Sequence, residues 1–358
     1  MIRLAILGTG GMAQRHAEEF QKIEGVELVA CADIHLPVAQ KFAKKNNIPQ
    51  AFSSLEGLLA FAEFDAVANV TPDRFHCATT LPLLTSGKHV LCEKPLAENH
   101  ADALKMAETA QQARVINMVN FSYRNASAIH KAHELIQAGT LGNIMHVEAS
   151  YLQSWLVSKA WGDWKKEDKW LWILSTQHGS KGTLGDIGVH ILDFATYPIG
   201  PLASLHCTLQ TFPNVKGTQI GEYTLDANDS FVISVRYANG ALGTVHSSRW
   251  ATGHDNTVAL RVFGSEGSLR IDLDKSMTTL EWCVGPNIDR AKWEVLECGS
   301  VPNMYQRFIQ SIRSGVNDQP DFARGAEVQE LLDLLQLFLI LISRIYLLKN
   351  LNHQEKFY

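Results

Sequence analysis

Apolar and polar positions follow two alternating periods along the first 120 residues. Short apolar runs at Ile2–Leu7 (IRLAIL), Val26–Ala32 (VELVACA), Ala66–Val70 (AVANV), His89–Cys92 (HVLC) and Val115–Asn120 (VINMVN) are too short for helices. Most are bounded by Gly, Asp, Thr-Pro or a charge, as strands are. Between them Met12–Ile23, Val38–Asn46 and Ala101–Gln112 carry the helical period. Strands alternating with helices predict a parallel sheet with helices on both faces.

Beyond a helix predicted over about Ala126–Ala138 and closed by Gly139, the pattern changes. Phe231, Ile233, Val235 and Tyr237 share one face of a period-2 strand, and Asn239-Gly240 predicts a type I′ turn into Ala241–Ser247. Val258, Leu260 and Val262 alternate, as do Leu269, Ile271 and Leu273 after the turn at Gly264–Gly267. Ile144–Gln153 and Leu205–Thr211 are further strands. The second half therefore predicts an antiparallel sheet packed on helices by one face.

At 358 residues the chain exceeds a single core, which stops growing at about 250–300 residues. Hydrophobic residues at 46% fill two cores and exclude intrinsic disorder. A net charge of −5 without a Lys/Arg run argues against nucleic-acid or anionic-membrane partners. Six cysteines lie far apart with no CxxC pair, so neither a disulfide scaffold nor a structural zinc site is expected. The N-terminus MIRLAILGTGG has no secretory signal pattern, and a cytoplasmic protein is expected. Leu331–Leu348 is apolar and nearly membrane-long, but Asp333, Gln336 and Arg344 interrupt it. A buried terminal helix is expected there.

Gly8-Thr9-Gly10-Gly11-Met12-Ala13 follows the first strand and opens the first helix. Gly8 permits the tight turn, Gly10 lets backbone approach a pyrophosphate, and Ala13 allows close helix–strand packing. The helix N-terminus offers free N–H groups to the phosphates. Asp33 lies 23 residues beyond Gly10, at the end of the second strand, where a carboxylate accepts from ribose hydroxyls. It would repel a 2′-phosphate, and Ile34 and His35 supply no Arg, so NAD is favoured over NADP. Gly8, Thr9, Gly10, Gly11, Met12 and Asp33 are the candidate cofactor residues.

Glu93-Lys94-Pro95 follows the strand His89–Cys92, where ligands bind in open parallel sheets. A lysine there can donate to a substrate hydroxyl and favour its alkoxide. Taken alone, it is equally an exposed lysine in a strand-to-loop turn. In Gly185-Asp186-Ile187-Gly188-Val189-His190, Asp186 and His190 share one face if the chain is helical from Ile187. Imidazole beside carboxylate suits proton transfer from an alcohol. A capping Asp followed by a core histidine gives the same letters. A metal site is not expected, since no third ligand stands at useful spacing.

These segments together resemble the glucose–fructose oxidoreductase / inositol dehydrogenase / rhizopine-catabolism (Gfo/Idh/MocA) family. The resemblance rests on GxGxxA, then EKP at a strand end, then TLGDIGVHILD, and covers about residues 1–330. It includes Val70-Thr71-Pro72 with His76, Tyr123-Arg124 and Gly139-Thr140-Leu141-Gly142. It implies an N-terminal Rossmann domain over 1–122. Residues 123–358 would form an α+β domain with an open, largely antiparallel sheet. The apolar terminal helix, about 326–349, departs from the family's usual ending and is expected to pack either on the first domain or on a neighbouring subunit. The resemblance implies Lys94 as the catalytic lysine, Asp186 as the substrate-orienting carboxylate and His190 as acid/base. Thr71, Pro72, His76 and Glu93 would line the cofactor cleft, and Tyr123 and Arg124 the substrate; Trp172 joins the substrate candidates from the tryptophan-rich segment and not from the resemblance. The implied reaction oxidises a secondary alcohol of a sugar or cyclitol, or runs in reverse, with Lys94 meeting Asp186 and His190 at an interdomain crevice. A redox-neutral sugar-modifying enzyme or glycosidase on the same fold needs the same Lys94 and His190. An NAD-binding regulator without catalysis would not need all three. A homodimer or homotetramer through the C-terminal sheet is expected of this family.

Two segments depart from the pattern. Five of the eight tryptophans fall between Ser154 and Trp172, either as a sugar-stacking wall or as packing at a domain interface or subunit contact. The apolar run 331–348 has no functional account.

Overall fold

The computed structural model describes residues 1–212 and 218–337. The chain divides into two compact units, residues 1–125 with 302–330, and 126–301 with the described residues from 331.

The first unit alternates β1 (Ile2–Leu7), α1 (Ala13–Gln21), β2 (Val26–Ala32), α2 (Leu36–Asn46), β3 (Gln50–Phe52) and α3 (Leu55–Phe61). It continues with β4 (Ala66–Asn69), α4 (Asp73–Thr85), β5 (His89–Cys92), α5 (His100–Ala113) and β6 (Asn117–Val119). The strands form one parallel sheet in the order β3-β2-β1-β4-β5-β6. Every residue of β4 is buried, as both-faced helix cover requires. Strand order reverses between β1 and β4, so the carboxyl ends of these two strands open a crevice where such sheets bind ligands. The strand β3 is three residues long, too short to show a period in the sequence.

The return of residues 302–330 to this unit departs from the predicted second domain of 123–358. Helix packing explains it. Asn303 and Gln306 form a capping box that starts the helix Met304–Ser314, and Asn125 Oδ1 accepts from the Met304 N–H at 2.8 Å. Met304, Tyr305, Phe308 and Ile309 then enter the core formed by β1 and α1. Phe20 meets the Tyr305 ring edge-on at 5.2 Å. Each fully buried side chain of this kind contributes about 1.5–3 kcal/mol.

The second unit begins with α6 (Ser127–Gln137) and β7 (Ile144–Gln153). Its sheet has the order β16-β15-β14-β13-β7-β12-β11-β8. In chain order these are β8 (Leu202–Gln210), β11 (Ser230–Tyr237), β12 (Leu242–Ser248), β13 (Asn256–Gly264), β14 (Gly267–Asp272), β15 (Thr279–Val284) and β16 (Glu294–Glu297); a two-stranded ribbon, β9 (Gln219–Ile220) and β10 (Tyr223–Thr224), stands apart. Neighbours pair antiparallel except β12 with β7, so the sheet is mixed. In β11, Phe231, Ile233, Val235 and Tyr237 are buried, whereas Val232 is 55% exposed on the outer face.

The β11–β12 connection corrects the type I′ expectation. That turn needs positive φ at both central residues, and of Asn239 and Gly240 only Gly240 has it, at 92°. The Tyr237 N–H donates to Ala241 O at 2.9 Å, closing a three-residue loop with glycine at its left-handed position. Residues 322–337 are helical. The remainder of the predicted terminal helix, 338–348, lies outside the described residues. No helix of the described residues is long and apolar enough to cross a membrane.

Candidate active site

The turn after β1 is fixed by sterics. Gly8 has φ +86°, and a Cβ there would stand 2.7 Å from Val70 O. Gly8→Ala is therefore expected to cost about 2 kcal/mol or more and to lower dinucleotide affinity at least tenfold. Thermal unfolding and NADH fluorescence titration together check this. At Gly10 and Gly11 a Cβ would meet nothing within 4 Å, so open space fronts the backbone before α1. The first turn of α1 has no side-chain cap. Open space, bare N–H groups and a helix dipole together fit a pyrophosphate.

Asp33, at the end of β2, accepts from the Thr9 N–H and hydroxyl, both at 2.9 Å, through Oδ2. Its Oδ1 accepts from the His35 N–H at 3.0 Å. Burial opposes ionisation, but these hydrogen bonds outweigh it and hold the carboxyl below its ordinary range. An ionised, pre-oriented carboxylate with spare lone pairs fits a ribose diol. Met12 stands 54% exposed at the helix start.

Thr71 and Pro72 follow β4, and Thr71 donates to Asn69 Oδ1 at 2.8 Å. His76 is buried, with its ring nitrogens 2.8 Å from Pro95 O and 2.7 Å from Thr71 O. It thus ties the loop after β4 to the Glu93-Lys94-Pro95 turn after β5 and presents no open face. Glu93 is also buried. His16 and Asn120 approach its Oε1, each at 2.7 Å, and the Lys94 N–H donates to Oε2 at 3.1 Å. Burial works against its charge, yet these partners hold the carboxyl down at about 2. Because the folded value lies below the ordinary 4.5, the stabilisation is complete above that pH and disappears as pH falls towards 2. Glu93→Gln is expected to flatten the dependence of the unfolding temperature on pH across that window. Tyr123 and Arg124 lie in the short 3-10 turn Ser122–Asn125 after β6, Tyr123 half-buried and Arg124 fully buried. The cofactor candidates and Lys94 therefore gather at the carboxyl ends of β1, β2, β4 and β5.

In the second unit Asp186 lies in a π-helical turn, Leu184–Gly188, that leads into α8 (Val189–Thr196), following the short α7 (Asp168–Leu171). His190 is in the first turn of α8 and buried. The wider π turn replaces the regular i, i+4 alignment expected from the sequence; such turns recur at functional sites. Arg249, which sequence reasoning missed, is fully buried and donates from Nη2 to Asp186 Oδ2 at 2.8 Å. Its guanidinium lies 5.0 Å from the Trp155 ring centroid. Burial lowers the Arg249 pKa, and Asp186 is the chief group opposing that shift.

Most of the clustered tryptophans pack. Trp155 and Trp164 are buried with Leu156, Leu171, Leu174 and Leu225, and Trp161 and Trp170 pack against that core. Trp172 differs, at 47% exposed.

A model described as "Oxidoreductase family, NAD-binding Rossmann fold" matches residues 2–121, and the "GFO/IDH/MocA C-terminal domain" model matches 129–270. D-glucoside 3-dehydrogenase of Escherichia coli is 31% identical over 250 residues, 67% of this chain and 68% of that protein. The chain belongs to the Gfo/Idh/MocA oxidoreductase family. Levoglucosan dehydrogenase of Pseudarthrobacter phenanthrenivorans is 25% identical over 258 residues, 68% of this chain, and the match spans 64% of that relative's length. The solved oxidoreductase domain protein from Kribbella flavida superposes with a TM-score of 0.82 at 26% identity, covering 94% of this chain and 97% of that one.

As a member of the Gfo/Idh/MocA family, the chain has an NAD-binding Rossmann domain, and the geometry of Gly8–Ala13 and Asp33 fits that cofactor. Arg249 carried no local signal. Only its distance to Asp186, 63 residues away, marks it.

Proposed function

We propose that this protein oxidises a secondary alcohol of a sugar or cyclitol, or reduces the matching ketone, with NAD rather than NADP. The observation that carries the reading is a built dinucleotide cradle with Lys94 at the carboxyl end of β5, two strands from β1 in the same sheet. Bound NAD supplies the hydride acceptor, or NADH the donor. Lys94 donates to the reacting oxygen and lowers the energy of its alkoxide form. His190 takes the hydroxyl proton, and Asp186, held by Arg249, orients the substrate. Tyr123 and Trp172 flank that substrate, the exposed indole of Trp172 offering a face to a sugar ring, whereas the fully buried Arg124 presents no face to it. The relatives named for levoglucosan and D-glucosides support a carbohydrate substrate. Incubation with NAD and a panel of inositols, aldoses and anhydrosugars tests the reading: NADH accumulation with at least one supports it, and none with any refutes it.

We also infer a homodimer or homotetramer in which a second copy covers the outer face of the eight-stranded sheet, where Val232 and Leu242 are half exposed. Light scattering is expected to give a multiple of 39.8 kDa, and that mass itself would contradict it.

A further inference from the structure

We infer that His16 is a positioning residue that fixes the backbone of Lys94 through Glu93, an inference that rests on the catalytic reading of Lys94. His16 lies on the buried face of α1, the helix whose N-terminus fits the pyrophosphate. Its Nε2 stands 2.7 Å from Glu93 Oε1, and Glu93 Oε2 accepts from the Lys94 N–H at 3.1 Å. One continuous run of contacts thus joins the dinucleotide helix to the main chain of the lysine.

The imidazole is not needed for packing. It is fully buried, edge-on to the Tyr305 ring at 5.0 Å, and its Nδ1 is buried with no hydrogen-bond partner among the described residues. A leucine there would leave no such orphan, so the polar ring is destabilising except for what Nε2 does. What it does is place a ring nitrogen against one side of a buried carboxylate. The groups facing Glu93 are His16 from α1, Asn120 beyond β6, Lys94 beside it and Tyr305 from Met304–Ser314. Arg15 and Glu19 of α1 face Tyr305 in turn. Among the described residues Asn120 Nδ2 is the other side-chain donor to Glu93 Oε1, at 2.7 Å. Without His16 the carboxylate keeps one side-chain donor in a buried place, and protonation becomes favourable at higher pH. A protonated Glu93 releases its grip on the Lys94 N–H and lets the ammonium wander, and a displacement of about 1 Å costs up to about a hundredfold in rate.

The test compares three variants. His16→Gln places an amide N–H near the position of Nε2 and cannot titrate. His16→Asn is polar but too short to reach Glu93, and His16→Leu removes the donor. Leu and Asn are expected to lower kcat about tenfold to a hundredfold with KM changed less than about threefold. Both should add an acidic limb to the kcat–pH profile. Gln is expected to return kcat to within about fivefold of wild type and to remove that limb. If His16→Leu does not fold, Asn against Gln makes the same comparison. A second readout needs no turnover: with 13C-labelled glutamate, the Glu93 carboxyl of the Leu or Asn variant should titrate at higher pH than wild type. Equal losses in Gln and Leu, or an unmoved Glu93 titration, would overturn the inference. A wild type that reduces no NAD with any polyol would defeat the dehydrogenase reading instead, and the carboxyl titration separates the two failures.

Discussion

Replacing Lys94 by Ala is expected to lower turnover by about a thousandfold while changing NAD affinity less than about threefold. Donation to the developing alkoxide acts only as the reaction proceeds, so its loss appears in kcat and not in ground-state binding. The dinucleotide would be held elsewhere, by the Gly8–Ala13 turn and by Asp33, whose carboxylate is oriented by Thr9 and His35. Glu93 keeps its bonds to His16 and Asn120, so the turn itself should persist. Lys94→Arg is expected to recover little, because a planar guanidinium cannot place one donor where the ammonium stood. NADH fluorescence titration and steady-state rates on the same preparations check both halves. Turnover within a few-fold of wild type would remove Lys94 from the mechanism.

Asp186→Ala should lose stability as well as turnover, which sets it apart from Lys94→Ala. Arg249 is fully buried, and Asp186 is its ion-pair partner at 2.8 Å. Removing one partner of a fully buried pair costs about 3–5 kcal/mol. The Asp186 side chain is 43% exposed, and Asp229 also faces Arg249, so about 2 kcal/mol is the better expectation. For a unit of this size that is a fall in Tm of about 5 °C. Turnover should fall about a hundredfold as the substrate loses its orienting carboxylate. The double variant Asp186→Leu/Arg249→Met removes both charges at once. It is expected to regain most of the stability and none of the activity, a separation that calorimetry and rate measurement would show.

The turn at Gly8 was legible because its constraints are local: a strand end, a positive φ and a helix start leave few residue choices. Asp33 was legible for the same reason, standing at a fixed distance from that turn. In TLGDIGVH the glycine at 185 is forced, since a Cβ would collide with the Lys181 side chain, but the letters alone did not reveal a π turn. His16 and Arg249 stayed hidden because their meaning lies across the fold. His16 meets Glu93 at a separation of 77 residues, and no periodicity records such a contact. The clustered tryptophans suited either a sugar wall or a domain or subunit interface, and neither reading foresaw a core within one unit. Burial decided for packing at Trp155 and Trp164, while Trp172 stayed exposed. The return of the helix Met304–Ser314 to the first unit went unseen, because an amphipathic helix does not say which core it will join.

Incubation with NAD and an accepted polyol carrying deuterium on the reacting carbon tests the central claim most directly. One deuterated NADH should accumulate for each ketone formed, in wild type and not in Lys94→Ala. Product that forms with deuterium retained and no net NADH, or bound NAD that is never reduced, would contradict it.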